Sequence, residues 1–359
     1  MLYNDLNRHW FIKNRELVVK FWLPYTIGNS GSDVSIKQLA LALEKLGHTA
    51  IAEGFPHKYQ YIPWLLTKNN APDKTDCIIG NSWNAFAFKK QGIPLITVER
   101  LFVLDKEYTP YKSIPQSLFH RFILSHWLKS SYKKSDAVIA LSKSTADGIR
   151  SVFNWAKPVV ILNAVDIDFF SPASNTEQRP AILPLKVLYV GNLSKRKGTD
   201  LLPKIMDALG EKIQLSYTED RNQLNGIDHL NAICIGRLDL QGVKKAYINA
   251  DLLILPTRLE GLPRAAMEAI ACGTPVISSD ASSLPELVIN GVSGYTCEKD
   301  NVDEFVKRIT EIIYEPSALL TLSNSAREYA INHLDLNLMA QKYVELTEQL
   351  IRSRNEPNN

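Results

Sequence analysis

Two glutamates eight residues apart, Glu260 and Glu268, stand in the stretch 255–295, where an apolar run ends at Leu255 and a helical pattern begins around Pro263. Proline suits a first helical turn because the amide it lacks has no intrahelical partner there. A helix starting at that point turns free backbone N–H groups and partial positive charge outward, which suits a diphosphate or a polar sugar. A carboxylate only accepts hydrogen bonds and can hold two vicinal hydroxyls, so one glutamate could take a hydroxyl pair of a sugar and the other that of a ribose. Gly261, directly after the first glutamate, lets the backbone come close to such a ligand.

Those residues need a rigid frame, and the sequence supplies the pattern of one. Short apolar runs at 17–22, 49–52, 77–80, 94–98, 137–141 and 158–162 alternate with longer periodic segments, as strands and crossover helices of a parallel sheet do. Between Asp33 and Leu46, the residues Ile36, Leu39, Ala40, Leu43 and Leu46 share one helical face, and the helix is expected to stop at Gly47. Residues 171–184, with Pro172, Pro180 and Pro184, are punctuated like a linker. A second series of strand candidates follows at 186–190, 213–216, 231–235, 251–255 and 275–278, and from Asn301 onward the pattern is helical.

At 359 residues the chain is too long for one ordinary core and suits two. The apolar fraction of 45% and charged fraction of 22% fit a folded globular protein and exclude a disordered or coiled-coil chain. Residues 1–22 lack the apolar stretch of a secretory signal, and nowhere do eighteen apolar residues run together, so the expectation is a cytoplasmic protein with no membrane span. Cys77, Cys234, Cys272 and Cys297 are far apart and not at metal-ligand spacing; buried free thiols are expected. The net charge of +3 conceals an asymmetry, for residues 89–157 hold 12 Lys/Arg against 5 Asp/Glu. No nucleic-acid reading motif accompanies that basic region, and a pI near 8.5 is low for a nucleic-acid binder.

The segment EGLPRAAMEAIACGTPVI, with its E-x7-E at Glu260 and Glu268, followed by PELV and a G-x-x-G ending, resembles glycosyltransferase family 4, the retaining group with the GT-B fold. Two further stretches support the resemblance: NAVDIDFF at 163–170 is similar to the family's hinge motif, and VGNLSKRKGTDLL at 190–202 to its phosphate motif. The implied fold is α/β: two Rossmann-like parallel-sheet domains, 1–175 and 176–335, facing across a cleft, with a C-terminal helix, 336–359, crossing back to the first domain.

The resemblance also implies roles. Glu260 would lie by the donor sugar, Glu268 by the nucleotide ribose, and the backbone of Gly261, Leu262 and Pro263 would donate to the donor. Lys197, assisted by Arg196, would neutralise the leaving diphosphate beside Gly191, although Asn192 stands where the family carries arginine. The alternative is that Lys195, Arg196 and Lys197 simply form a solvated loop. Gly236, Arg237 and Leu238 would border the nucleobase, and Gly31 and Ser32 would face the diphosphate from the N-terminal half, where an ordinary turn is the alternative. Glu99 occupies the position of a family histidine near the donor sugar; a surface charge at a strand end is the other reading.

The implied reaction is metal-independent, retaining transfer from a UDP- or GDP-sugar to a glycan or lipid-linked acceptor, with no cofactor. A nucleotide-sugar hydrolase or epimerase, or an inactive partner subunit, are the rival functions. At 114–134, His120, His126 and Trp127 lie among apolar residues that interleave with Arg121, Lys129, Lys133 and Lys134. That pattern fits either a peripheral contact with anionic lipid at the inner face of the membrane or a core helix with a solvated basic end.

Overall fold

The computed structural model describes residues 17–28, 31–173, 183–218 and 226–355. Residues 174–182, which include the expected domain boundary and most of the linker, lie outside the described residues.

The first half runs β1 (Lys20–Thr26), α1 (Gly31–Lys45), β2 (Thr49–Phe55), β3 (Cys77–Asn81), β4 (Leu95–Glu99), α2 (Ile114–Phe119), α3 (Ser125–Lys134), β5 (Ala137–Ala140), α4 (Lys143–Val152) and β6 (Val159–Val160). A single turn of π-helix, His120–Leu124, joins α2 to α3. The strands form one parallel sheet in the order β2-β1-β3-β4-β5-β6. Helices cover a parallel sheet on both faces, which is why these strands are continuous apolar runs: the five central residues of β1 and four of the five in β3 are buried.

The second half runs β7 (Leu185–Tyr189), α5 (Leu202–Leu209), β8 (Ile213–Tyr217), β9 (Ala232–Cys234), α6 (Leu240–Asn249), β10 (Leu252–Leu255), α7 (Arg264–Ala271), β11 (Val276–Ser279), β12 (Gly294–Cys297) and then α8 (Val302–Tyr314), α9 (Pro316–His333) and α10 (Leu336–Asn355). Its strands are also all parallel, ordered β12-β11-β10-β7-β8-β9. In such a sheet the connections leave in opposite directions from the two central strands, so a crevice opens beyond the carboxyl ends of β7 and β10. In the first sheet the corresponding place lies beyond β1 and β3.

The eleven strand segments expected from sequence each overlap an observed strand; β12 was not anticipated. It opens on Gly294, whose Cβ would lie 1.8 Å from the Val276 carbonyl oxygen, so a residue that reads as a turn in fact permits strand contact. Cys77, Cys272 and Cys297 are buried, but Cys234 is exposed, contrary to expectation. It lies on β9, the last strand of its sheet, where one flank has no neighbouring strand to cover it.

The chain passes between the two sheets twice, and the passes run side by side: the Val165 amide donates to the Leu334 carbonyl at 2.9 Å, and Val165 bridges to Asp335. After the second pass, α10 lies on α1. Its Leu336, Met339, Ala340 and Tyr343 are buried in the core of the first sheet, and Arg354 pairs with Asp136 at 2.5 Å. Among the described residues no helix is long and apolar enough to cross a membrane.

Candidate functional site

The loops that follow β7 and β10 meet beyond the crevice of the second sheet. Ser194 caps a short turn, Lys195–Lys197, by accepting from the Lys197 amide, and Gly198 closes that turn at φ +67°. A Cβ at Gly198 would fall 1.7 Å from the Pro256 carbonyl oxygen, so only glycine lets the two loops touch. Three hydrogen bonds then pin them together: the Arg258 amide and the Thr257 hydroxyl donate to the Arg196 carbonyl at 2.8 and 3.2 Å, and Arg196 Nη1 donates to the Leu259 carbonyl at 2.6 Å. Arg258 adds ion pairs to Asp200 at 2.6 Å and Asp300 at 2.5 Å.

This frame brings three of the expected residues into contact. The Lys197 ammonium is bonded to Glu260 Oε1, and Arg196 Nη1 lies 3.5 Å from Glu260 Oε2. The Glu260 side chain is only 11% exposed. Burial, together with neighbouring Arg196, pulls the Lys197 ammonium down to about 7. The KRK segment is therefore divided: Lys195 is exposed to solvent, whereas Arg196 and Lys197 turn toward Glu260.

Glu268 sits on α7 and is buried. It accepts from the Tyr247 hydroxyl at 3.1 Å and pairs with Arg264 at 2.8 Å, and desolvation pushes its carboxyl above the ordinary range. Arg264 also reaches over to the first sheet's α1, where its Nη1 donates to Gln38 Oε1 at 2.7 Å and lies 3.4 Å from Ser35 Oγ. Gly31 is packed against it, since a Cβ there would stand 3.3 Å from Arg264 Cδ. A second approach across the cleft is tighter: a Cβ on Gly261 would meet the Arg100 carbonyl oxygen at 1.9 Å. On a neighbouring edge, Glu286 accepts from the Lys143 and Ser144 amides at 2.6 and 2.8 Å and so closes the start of α4 from the other half.

The remaining expected residues are more loosely placed. Gly191 follows β7 and donates to Thr218 Oγ1 at 3.1 Å, while the exposed Asn192 accepts from the Tyr189 hydroxyl through its carbonyl at 2.8 Å. Gly236 has φ +72° in the loop after β9; Arg237 is exposed and Leu238 half-buried. Ser32 is half-buried in the first turn of α1, and Leu262 and Pro263 are buried at the start of α7. Glu99 is no surface charge. It is 2% exposed at the end of β4, accepts from the Tyr132 hydroxyl at 2.6 Å and the Arg100 amide at 3.1 Å, and burial raises its carboxyl to about 7.

Four participants were not anticipated: Arg264, Tyr247, Arg100 and Glu286. Arg264 stands four residues before Glu268, a spacing that marks neighbours on one helical face. Nothing local in the sequence points to the other three, whose contacts come from distant elements.

Two family models cover most of the chain: Glycosyl transferases group 1 matches residues 176–333 and Glycosyltransferase Family 4 matches residues 53–169. The chain belongs to the family 4, group 1 glycosyltransferases. A glycogen synthase of Mycobacterium tuberculosis is 26% identical over 239 residues, 63% of this chain and 57% of that protein, so the match spans little more than half of the relative. Among solved structures, sucrose-phosphate synthase from Thermosynechococcus elongatus superposes with a TM-score of 0.79 at 18% identity, over 93% of this chain and 100% of that one. Anabaena HepE, solved with UDP and glucose, gives 0.69 at 17% identity over 92% and 100%. At those identities the likeness establishes the GT-B fold, two parallel-sheet domains, for this family member.

Proposed function

We propose that this chain is a retaining glycosyltransferase that moves a sugar from a nucleotide-diphosphate donor to a glycan or lipid-linked acceptor without a metal. The observation that carries the reading is the meeting of Lys197, Arg196 and Glu260 beyond the β7/β10 crevice, opposite the Arg100 backbone of the first sheet. The family implies that a nucleotide sugar binds there, and the HepE neighbour was solved with UDP and glucose.

In this reading the donor diphosphate displaces Glu260 from Lys197 and takes both cations, while Glu260 turns to the sugar hydroxyls. The bond from the anomeric carbon to the phosphate oxygen breaks, and the acceptor oxygen bonds to that carbon on the same face. The acceptor proton passes to the departing phosphate oxygen. Lys197 and Arg196, fixed and largely shielded from water, hold the charge that develops on it, and such preorganised electrostatics supply a large part of catalysis. Glu268, held by Tyr247 and Arg264, would take the ribose hydroxyls.

The test is a thermal-shift screen with UDP- and GDP-sugars followed by product analysis, because a ligand that binds only the folded state raises the melting temperature. Stabilisation by a nucleotide sugar with transfer to an added acceptor supports the reading. Free sugar released regardless of acceptor, or an epimerised donor, would instead indicate a hydrolase or epimerase. Stabilisation with no turnover would indicate an inactive partner subunit.

A second observation supports peripheral membrane contact. Leu124, Trp127, Leu128 and Tyr132 pack inward, whereas Ile114, Leu118, Phe122 and Ile123 are exposed, Ile114 at 79% and Phe122 at 66%. Arg121, Lys129 and Lys133 accompany that apolar face, the combination that holds a helix at an anionic lipid surface.

A further inference from the structure

Arg264 stands where helix physics does not favour a cation. It is the first residue of α7, directly after Pro263, which makes no side-chain cap hydrogen bond. The start of a helix carries partial positive charge, and a cation four residues before a carboxylate is the weaker order of such a pair. The Arg264–Glu268 pair therefore gains α7 little. What sets it apart is the other end of the guanidinium. Nη2 bonds Glu268 Oε1 at 2.8 Å, while Nη1 crosses the cleft to Gln38 Oε1 at 2.7 Å and Ser35 Oγ at 3.4 Å on α1. A rigid planar fork with several donors is suited to serving two partners in two domains at once. With 17% of the Arg264 side chain exposed, the bridge is largely shielded from water.

The two oxygens of Glu268 are thereby held from different halves. Oε2 accepts from the Tyr247 hydroxyl at 3.1 Å, and Tyr247 is fully buried in the second core, its ring 6.3 Å from that of Phe170. Thr274 fixes the same tyrosine by donating to its carbonyl at 2.7 Å. That anchor moves with the second half. Oε1 is held by Arg264, whose outer end rests on α1 of the first half. When the halves separate, Gln38 recedes, the outer bonds of the fork are lost and Arg264 is free to turn. Oε1 then loses a fixed donor while Oε2 keeps its own, so the orientation of Glu268 depends on whether the cleft is closed.

We infer that Arg264 is a positioning residue that couples the orientation of Glu268 to closure of the cleft, so that the carboxylate is set for ribose hydroxyls only when α1 is in place. This rests on the reading of Glu268 as the partner of the ribose. Such coupling is reciprocal: a nucleotide that engages Glu268 favours the closed cleft to the same degree. Gln38, which bonds Arg264 from the other half, then acts on ribose binding through that side chain.

Calorimetric titration of the full chain with UDP and GDP, and with the 2′-deoxy form of whichever binds more tightly, isolates the contribution of the ribose hydroxyl. The wild type is expected to prefer the ribonucleotide about tenfold, the size of one hydrogen bond to a charged group. Arg264→Met should abolish that preference. Gln38→Met exchanges two good helix formers at a half-buried site and should cut the preference to about threefold. Gln38→Glu, which offers the fork a charged acceptor, should keep it near the wild-type value. A loss of affinity shared equally by both nucleotides, an unchanged preference in Gln38→Met, or a wild type that ignores the 2′-hydroxyl would each overturn the inference. The tie itself is read without nucleotide: the melting-temperature losses of Gln38→Met and Glu268→Gln should not add in the double variant, since Arg264 joins the two sites. Strict additivity would overturn it as well. If neither UDP nor GDP binds while that coupling stands, the donor reading fails and the tie across the cleft holds.

Discussion

On the C-terminal side of the cleft the charged side chains have already found one another: Lys197 and Arg196 hold Glu260, and Arg264 and Tyr247 hold Glu268. On the N-terminal side Asn84, Arg100 and His120 line a cavity, each with one buried polar atom that has no hydrogen-bond partner among the described residues. A buried cation needs an anion, and breaking such a pair by removing one member strands the other. The C-terminal cluster therefore supplies its cations with an anion of its own, and under the proposed function a diphosphate would enter by exchanging partners with Glu260. The N-terminal cavity places Arg100 beside Glu99 and Asp33, which act on it through space without an ion pair among the described residues. One side closes its charges in direct contacts, the other leaves them apart around an open space.

The comparison breaks most visibly at Lys197. Lys197→Ala is expected to lower turnover by roughly two or more orders of magnitude, the loss that follows removal of a preorganised electrostatic donor. It also leaves Glu260 facing only Arg196, so part of any fall in melting temperature reflects a stranded carboxylate. The double variant Lys197→Ala/Glu260→Gln separates the two effects: stability should recover and turnover should not. Near-normal transfer by the single variant would remove Lys197 from the mechanism.

Two glycines sharpen the boundary between the sides. Gly198 touches Pro256 within one half, at a left-handed φ of +67°, so Gly198→Ala should cost about 2–4 kcal/mol and show as a lower melting temperature. Gly261 touches Arg100 between the halves. An added methyl there can be relieved by widening the cleft, so Gly261→Ala should lower transfer about tenfold with little change in melting temperature, given how steeply rates respond to small misplacements. Equal thermal losses in both variants would show that the interface is as rigid as a core.

Glu99 gives the N-terminal side a pH signature. Its carboxyl is raised from 4.5 to about 7, so in that window the folded protein keeps a proton that the unfolded chain releases. Stability must then fall as pH rises from about 4.5 to 7 and level off above, by about 3 kcal/mol for this group. Glu99→Gln lacks the titrating group, so the wild-type curve should drop relative to the variant's over that interval. Parallel curves in urea unfolding between those pH values would show that Glu99 ionises normally.

How much of this was legible beforehand divides along the same line. The parallel strands showed as apolar runs because both faces of each sheet are covered, and the Glu260–Glu268 segment could be read because loop, helix start and both carboxylates are local in sequence. The N-terminal cavity could not. Glu99 could be read as a donor-side residue or as a strand-end charge, because Tyr132 and the Arg100 amide, which hold it, are visible only once the chain is folded. His120 lay in a stretch whose periodicity suggested one continuous helix, and the π-helical turn at His120–Leu124 changes the phase. β12 was hidden by a glycine that serves contact rather than a turn. Arg100 lay in plain view, with no pattern around it to say that it would end without an ion pair among the described residues.

The smallest expected effect concerns the outer face of the N-terminal half. Phe122 and Ile123, exposed beside Arg121, would enter the interface of an anionic membrane, each contributing through buried area, while Lys129 and Lys133 add roughly 1 kcal/mol apiece near a charged surface. Replacing Phe122 and Ile123 with serine should reduce sedimentation with phosphatidylserine-containing vesicles several-fold at low salt and leave binding of UDP unchanged, because neither side chain belongs to the cluster around Lys197, Glu260 and Glu268. Wild-type protein that stays in the supernatant with such vesicles at low salt would end the membrane reading. If wild type and variant sediment alike, the basic residues act alone and the apolar face has another partner. A loss confined to the variant would extend the comparison outward: the half that carries Glu99 and Arg100 would also be the half that meets the lipid, where the lipid-linked acceptor of the proposed function would be found.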